Sequence, residues 1–212
     1  GFKSIGVIRG DEEFLLNPTI EFAKSNGMHL HYVNRSDYRQ KHTDVFINKL
    51  KEKFGDFYLI PEGGTNKQAI KGASEILDKN DIHDFICCPV GTGGTISGII
   101  RSSSENQTVI GFPSVKGVES LEKTIRKYSD KRNFIFVNDY LYGGYARITN
   151  ELVEFIINFN INHKVPLDAI YTGKMMMGVL DLISKDYFPK GSAILVIHTG
   201  GLQGNQGMNK RF

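Results

Sequence analysis

The stretch PVGTGGTISG, residues 89–98, decides the fold, because its small residues separate a strand pattern from a helix pattern. The apolar run HDFICC comes directly before it, and further apolar residues follow it. The backbone amides of such a loop are unpaired and point the same way, and the dipole of the next helix adds positive potential. The stretch therefore predicts either an anion site, most often for phosphate, or an ordinary tight turn before a closely packed helix.

The two usual nucleotide-binding fingerprints do not fit this loop. A Walker loop needs a lysine after its last glycine, and no lysine follows here at that spacing. A dinucleotide fingerprint needs a third glycine, but counting from Gly91 and Gly93 places Ile96 at that position. The hydroxyls of Thr92 and Thr95 can add hydrogen-bond donors to the loop. The loop alone thus leaves the anion site and the ordinary tight turn equally open, and it specifies no ligand.

Strand patterns and helix patterns alternate along most of the chain, which indicates parallel βαβ units. Strands are predicted over residues 4–10, 28–34, 56–64, 84–90, 108–114, 134–138 and 192–198. Helices besides the one after the loop are predicted over residues 17–27, 36–55, 66–80, 149–159 and 174–183. We expect an α/β fold of two lobes, each with a parallel or mostly parallel sheet flanked by helices. The boundary is expected at Gly55, giving a small lobe over 1–55 and a larger lobe over 56–212.

Composition narrows the classes of function. The 26 basic and 23 acidic side chains are interleaved, and the net charge is only +3, so we expect no nucleic-acid partner. No apolar run approaches the ~20 residues of a membrane helix and no signal peptide is visible, so we expect a soluble, cytoplasmic protein. Cys87 and Cys88 lack metal-ligand spacing and are interpreted as buried strand residues in a reducing compartment. His198 has no second ligand at a suitable spacing, so no metal site is predicted.

Four further motifs accompany the glycine loop. They are FYLIPEGGTN at 57–66, LYGGYA at 141–146, IYTGKMMMGVLDLI at 170–183 and ILVIHTGGLQG at 194–204. In order and spacing, the set resembles the pyridoxal-phosphate enzymes of the D-cysteine desulfhydrase and 1-aminocyclopropane-1-carboxylate (ACC) deaminase family, which have the tryptophan-synthase-β-like fold type II. The resemblance runs from Gly1 to about Gly207. It implies that the larger lobe binds pyridoxal 5'-phosphate, and we also expect a homodimer.

The resemblance gives the glycine loop its ligand. In this family the loop cradles the phosphate of the cofactor, and the positions carried over to this chain are Gly91, Thr92, Gly93, Gly94 and Thr95.

The motifs at 170–183 and 194–204 supply further candidates. From the residues alone, Tyr171 is a half-buried aromatic and Thr172 a helix cap. By similarity, Tyr171 lies beside the cofactor and moves protons at the substrate, Thr172 contacts the cofactor, and Thr199 lies near its pyridine nitrogen. ACC deaminase typically has glutamate directly after this tyrosine, so Thr172 favours the desulfhydrase branch.

Two tyrosines of the LYGGYA motif compete for one role. The family places a tyrosine of this loop over the active site, and Tyr142 and Tyr145 are both candidates; otherwise both are surface loop residues. In the motif at 57–66, Thr65 or Asn66 is predicted to cap the next helix. The run Met175 to Met177 is interpreted as core filling.

The resemblance places the Schiff-base lysine, and a Ser-Asn-His segment for the substrate carboxylate, upstream of Gly1. We therefore expect the chain to be part of a longer enzyme, incomplete at its N-terminus. Lys67 and Lys174 belong to other motifs, and neither is predicted to hold the cofactor. The leading hypothesis is β-elimination on a small amino acid, D-cysteine, giving pyruvate, ammonia and sulfide. The alternatives are ACC deamination and, in another class, an inactive remnant or binding protein.

Overall fold

The structure of the chain, a computed structural model, describes three stretches: residues 1–10, 17–78 and 80–206. The chain forms two compact units, Gly1–Leu59 and Ile60–Phe212. The assignment of a small lobe that ends at Gly55 and a cofactor-binding lobe after it stays a prediction. Lys79, which the sequence analysis included in a helix, and Gly207, where the resemblance ends, lie outside the described residues.

The first unit contains a parallel strand pair. Strand β1 (Ile5–Arg9) pairs with β2 (His29–Val33), and helix α1 (Pro18–Ser25) lies between them in the chain. The side chain of Asn17 caps α1 by accepting the amide of Ile20 at 2.9 Å. The predicted strands and the predicted helix start are confirmed, because a capping residue followed by proline marks a helix start within the sequence itself.

The single helix predicted over 36–55 is wrong, because this segment contains two helices. These are α2 (Arg35–Arg39) and α3 (Asp44–Phe54). The side chain of Asn34 caps α2, and the hydroxyl of Thr43 accepts an amide of α3 at 3.3 Å. Each helix therefore has its own polar cap, and the chain turns between them although the apolar periodicity continues across the break.

The start of that predicted helix, where Ser36 and Asp37 are plausible caps by residue type, is corrected as well. Ser36 and Asp37 lie inside α2, not before it. Both donate to the side-chain oxygen of Asn34, the hydroxyl of Ser36 at 2.5 Å and the amide of Asp37 at 2.8 Å. Asn34 thus has the role that the sequence pattern gave to its neighbours.

The second unit is built on a four-stranded sheet with the order β5-β4-β3-β6, and all its pairs are parallel. Its strands are β3 (Phe85–Val90), β4 (Thr108–Pro113), β5 (Phe134–Phe136) and β6 (Ile194–Val196). Its helices are α4 (Lys67–Ala73), α5 (Gly94–Ser102), α6 (Val118–Arg126), α7 (Asn150–His163), α8 (Thr172–Ser184) and α9 (Gln203–Gln206). The predicted α/β fold with parallel sheets flanked by helices is confirmed.

Both faces of this sheet are buried, because strand side chains alternate between them. On one face Ile86 and Cys88 pack with apolar residues of α5 and α6, and on the other Cys87 packs with residues of α8. The two cysteines are free thiols with no exposed surface, as the sequence indicated for buried strand residues. Burial raises the pKa of Cys87 to about 12 and that of Cys88 further still, so neither thiol is set up as a nucleophile.

The strand predicted over 56–64 is wrong. Among the described residues it pairs with no other strand, and the side chains of Tyr58, Leu59 and Ile60 are exposed. Its last residues form a 3₁₀ turn, Glu62–Gly64. An apolar run becomes a strand only where a neighbouring strand offers hydrogen-bonding groups, and the sequence pattern does not contain that information.

Candidate active site

The glycine loop lies where β3 ends and α5 begins. Gly93 precedes the helix in the left-handed region, with φ at +92°, a conformation that favours glycine. The first intrahelical bond runs from the amide of Ser97 to the carbonyl of Gly93 at 3.0 Å, so the amides of residues 93–96 have no acceptor within the helix. No side chain of the described residues caps this helix. The loop therefore presents free amide donors at the positive end of a helix dipole, which fits a bound phosphate.

A second segment of the sequence packs directly against this loop. The hydroxyls of Thr65 and Thr92 lie 2.6 Å apart and share one hydrogen bond. A Cβ placed on Gly94 would lie 2.8 Å from the Thr65 hydroxyl, and one placed on Gly63 would lie 2.4 Å from a methyl carbon of Thr92. Gly63 and Gly94 are therefore required because the two segments approach too closely for a Cβ at either position. The hydrogen bond from Thr65 fixes the direction of the Thr92 hydroxyl.

Asn66 caps α4, as the sequence predicted for this position or its neighbour. Its side-chain oxygen accepts the amides of Gln68 at 3.0 Å and of Ala69 at 2.9 Å. The alternative capping residue, Thr65, instead points its hydroxyl at the glycine loop. No local pattern distinguishes these two roles, because the partner of Thr65 lies 27 positions away in the sequence.

Tyr171 lies on the first glycine of the loop. A Cβ placed on Gly91 would be 3.2 Å from ring carbon Cε1 of Tyr171 and 3.4 Å from its hydroxyl oxygen. Partial burial, together with the charge and hydrogen bond of Tyr145, raises the pKa of Tyr171 to about 12. The phenol of Tyr171 therefore keeps its proton at neutral pH, and it lies beside the predicted phosphate loop.

The LYGGYA loop brings Tyr145, and not Tyr142, to Tyr171. The rings of Tyr145 and Tyr171 lie edge to face with centroids 6.3 Å apart. Tyr142 is half-buried and packs against the core on the α8 side of the sheet, and burial raises the pKa of its phenol. This geometry favours Tyr145 as the tyrosine of the loop that faces the candidate site, and its catalytic role stays a prediction.

An acidic residue that the sequence analysis did not single out organises the turn before α8. Asp168 is 1% exposed, and its carboxylate accepts the amides of Ile170, Tyr171 and Thr172 at 2.7 to 2.9 Å. It also accepts the hydroxyl of Thr172 at 2.6 Å, while the amide of Asp168 donates to that same hydroxyl. Asp168 thus holds the backbone that presents Tyr171.

The hydroxyl of Thr172 is already engaged on both sides by Asp168, and its side chain is fully buried. Contact between Thr172 and a cofactor stays a prediction that this geometry does not support. The structure gives Thr172 a role in the turn, close to the capping role that its residue type indicates. An acidic residue four positions before the helix is the one signal that could have revealed Asp168.

We predict that Asp168→Ala lowers the free energy of unfolding by about 3 kcal/mol, because it leaves several buried donors without an acceptor. Urea unfolding followed by circular dichroism measures this change. The matched control is Asp130→Ala at an exposed aspartate, for which we expect a change within about 0.5 kcal/mol. Equal stabilities of the two variants would contradict the proposed role of Asp168.

The HTGG motif follows β6 at the same edge of the sheet as the glycine loop. Strands β3 and β6 are parallel, and Cys87 lies opposite Val196. Thr199 follows Val196 by three residues, as Val90 follows Cys87, so Thr199 and the end of β3 lie at the same edge of the sheet. His198 accepts the amide of Gly200 on Nδ1 at 3.1 Å and donates from Nε2 to a backbone carbonyl at 2.8 Å. The exposed Thr199 therefore lies at the carboxyl-terminal edge of the sheet, where parallel α/β sheets commonly bind ligands, and its contact with the pyridine nitrogen stays a prediction.

The methionine run is divided between two clusters. Met175 is buried in the core on the α8 side of the sheet, and the other two methionines pack against α7.

No group of three or more potential metal ligands occurs within residues 1–10, 17–78 and 80–206. None of the helices in these stretches is long and apolar enough to cross a membrane.

Comparison with known proteins identifies the class of this fold and site. The family model described as pyridoxal-phosphate dependent enzyme matches residues 16–200. A solved structure titled as an ACC deaminase homologue superposes with a TM-score of 0.79 at 26% identity, covering 100% of this chain and 70% of that one. The chain therefore belongs to the pyridoxal-phosphate dependent enzyme family, and the expected cofactor, pyridoxal phosphate, is that of the family.

Two relatives narrow the family. A Pyrococcus furiosus protein provisionally named ACC deaminase is 30% identical over 225 aligned residues, covering 96% of this chain and 68% of that protein. An Arabidopsis thaliana protein named bifunctional D-cysteine desulfhydrase/ACC deaminase, mitochondrial, is 30% identical over 205 residues, covering 84% of this chain and 51% of that protein. The resemblance inferred from the motifs is confirmed.

Proposed function

We propose that the full-length protein is a pyridoxal-phosphate-dependent lyase that acts on a small amino acid, D-cysteine, by β-elimination. The observation that carries this proposal is the position of Tyr171, whose phenol lies over Gly91 at the start of an uncapped, phosphate-compatible glycine loop. A protonated phenol next to a phosphate loop suits an enzyme that binds the cofactor at the loop and transfers protons close to it.

The chain's own residues divide into those that would hold the cofactor and those that would contact the reacting substrate. The free amides of residues 93–96 would hold the cofactor phosphate, and the hydroxyls of Thr92 and Thr95 would add donors. Thr65, which is hydrogen-bonded to Thr92, would orient one of those hydroxyls. When bound, the cofactor supplies an electron sink for the α-carbon of the substrate.

β-Elimination from D-cysteine breaks two bonds. The Cα–H proton would pass to the Schiff-base lysine that the family resemblance implies, and the Cβ–S bond would break with its electron pair leaving on sulfur as hydrosulfide; water then converts the remaining fragment to pyruvate and ammonia. The phenol of Tyr171 keeps its proton, since its pKa is raised to about 12. We assign to this hydroxyl a hydrogen bond to the departing sulfur, which stabilises the charge that develops there. Tyr145, whose ring lies against Tyr171, would orient it.

Thr172 supports D-cysteine over ACC as the substrate. ACC deaminase typically has a glutamate at this position, and here the side chain faces the Asp168 carboxylate at 2.6 Å. A second carboxylate there would be buried beside the first, and like charges at this distance oppose one another. ACC deamination remains the second candidate, because several relatives carry that name.

The test uses the full-length protein incubated with pyridoxal phosphate. We expect a visible absorbance band that borohydride removes, and sulfide release from D-cysteine that exceeds ammonia release from ACC at equal substrate concentration. Faster turnover of ACC would favour the second candidate. Absence of the band and of both products would favour an inactive remnant or a binding protein.

A further inference from the structure

Lys174 is a buried cation for which the proposed chemistry has no use. Its side chain is 2% exposed on α8, three positions after Tyr171. No carboxylate among the described residues lies within ion-pair distance of Nζ, and burial lowers the pKa of this lysine although Asp168 partly opposes the shift. Burial of a charge is costly unless other groups compensate it, so the partners of this ammonium group indicate its role.

Those partners are two carbonyls of the LYGGYA loop. Nζ donates to the carbonyl of Leu141 at 3.0 Å and to that of Gly144 at 2.9 Å. The same carbonyls accept backbone amides, Leu141 from Gly144 at 3.0 Å and Gly144 from Arg147 at 3.2 Å. The ammonium group thus supplies the hydrogen bonds that water would give to two carbonyls turned towards the interior. It thereby links the two positions of the loop, Leu141 and Gly144, to one side chain.

The loop adopts a conformation that needs such support. Three successive residues have positive φ, with values of 48° at Tyr142, 88° at Gly143 and 116° at Gly144. Two glycines tolerate this conformation, but a tyrosine in the left-handed region is strained and requires the surroundings to hold it. The two bonds from Lys174 are the interactions that tie both ends of this strained run to α8.

The next residue of the loop is Tyr145, which is 58% exposed and has its ring against Tyr171. Lys174 lies in the first turn of α8 and Tyr171 is the N-cap residue of that helix, so the ammonium group fixes the loop relative to the helix start that carries Tyr171. We infer that Lys174 is a positioning residue that holds Tyr145 against Tyr171. The catalytic role of the two tyrosines rests on the proposed function, whereas the effect of Lys174 on the loop geometry does not depend on it.

The first test measures the loop without cofactor or substrate. In the full-length protein, Lys174→Met keeps a long side chain and removes the ammonium group. We expect hydrogen exchange at the amides of Gly144 and Arg147 to accelerate at least about tenfold, while Ser97 in α5 exchanges as before. Lys185→Met, at the exposed end of α8, is the control and should leave all three unchanged. Unchanged exchange in Lys174→Met would overturn the inference.

The second test separates positioning from general stability. We expect Lys174→Met and Tyr145→Phe each to lower kcat about tenfold, and the double variant to be hardly slower than either single variant, because both changes remove one coupled unit. Independent, multiplicative losses would overturn the inference. If the wild-type protein turns over neither substrate, the proposed function fails, and hydrogen exchange still decides the role of Lys174.

A further variant covers the outcome in which Lys174→Met does not fold. Gly144→Ala leaves the buried lysine in place, and among the described residues its new Cβ would meet only Lys116, at 3.9 Å, but its φ of +116° is strained for alanine. We expect the same exchange and kinetic changes from this variant. A normal kcat with an opened loop would contradict the positioning role.

Discussion

Replacement of Gly94 by alanine is expected to raise the Kd for pyridoxal phosphate about a hundredfold, which corresponds to the loss of one or two charge-assisted hydrogen bonds. The new Cβ would lie 2.8 Å from the hydroxyl of Thr65, so either Thr65 or the first turn of α5 has to move. Either movement displaces the amide donors that we propose for the phosphate. Fluorescence or calorimetric titration of the full-length protein measures the affinity.

Two controls make this result specific. Gly72→Ala is the same substitution in the neighbouring helix α4, where a Cβ would meet no atom of the described residues within 4 Å, and we expect it to leave the affinity unchanged. Pyridoxal lacks the phosphate group, and its weaker binding should be equal in the wild type and in Gly94→Ala. A loss of affinity that is the same for both ligands would place the phosphate elsewhere.

Tyr171→Phe is expected to lower kcat for D-cysteine about 100-fold to 1,000-fold, the range for removal of one hydrogen-bond donor to a developing negative charge. The affinity for pyridoxal phosphate should change by less than about threefold, because the phenyl ring still covers Gly91. Tyr187→Phe, just beyond α8 and 44% exposed, is the matched control and should retain wild-type turnover.

The pH dependence of the wild type provides a second check on Tyr171. A folded-state pKa raised to about 12 means that the phenol stays protonated, and able to donate, at all lower pH values. Loss of this donor should therefore reduce kcat only as the pH approaches about 12. A fall in kcat between pH 8 and 10 that disappears in Tyr171→Phe would show that its pKa is lower and would contradict the donor assignment.

The sequence predicts those parts of the fold that depend on local patterns. The parallel strands β3 and β4 are continuous apolar runs, and α5 begins at the glycine loop as predicted. The segment 56–60 shows the limit of this reasoning, because its apolar residues suggest a strand but no neighbouring strand pairs with it among the described residues. Pairing depends on distant segments, which periodicity does not report.

The candidate site was predictable where a motif carries its own geometry. Glycines and the residue before a helix start are recognisable in the sequence, whereas the side chains that hydrogen-bond to these segments and hold them in place are not. Thr65 finds its partner 27 positions away, and Lys174 finds its partners 30 and 33 positions away. Asp168 acts locally but resembles an ordinary loop aspartate until the fold buries it. These contacts arise from tertiary structure, which no local sequence pattern encodes.

The close approach of two helices has a consequence for how tightly the cofactor can bind. A Cβ on Gly98 would lie 2.5 Å from the Cβ of Ala73, so the backbones of α5 and α4 are almost in contact. The segments that carry Thr65 and Thr92 immediately precede these two helices and therefore move with them. Since the spacing of the two hydroxyls is set before any ligand arrives, phosphate binding needs little ordering of the protein, and more of the interaction energy is retained as affinity.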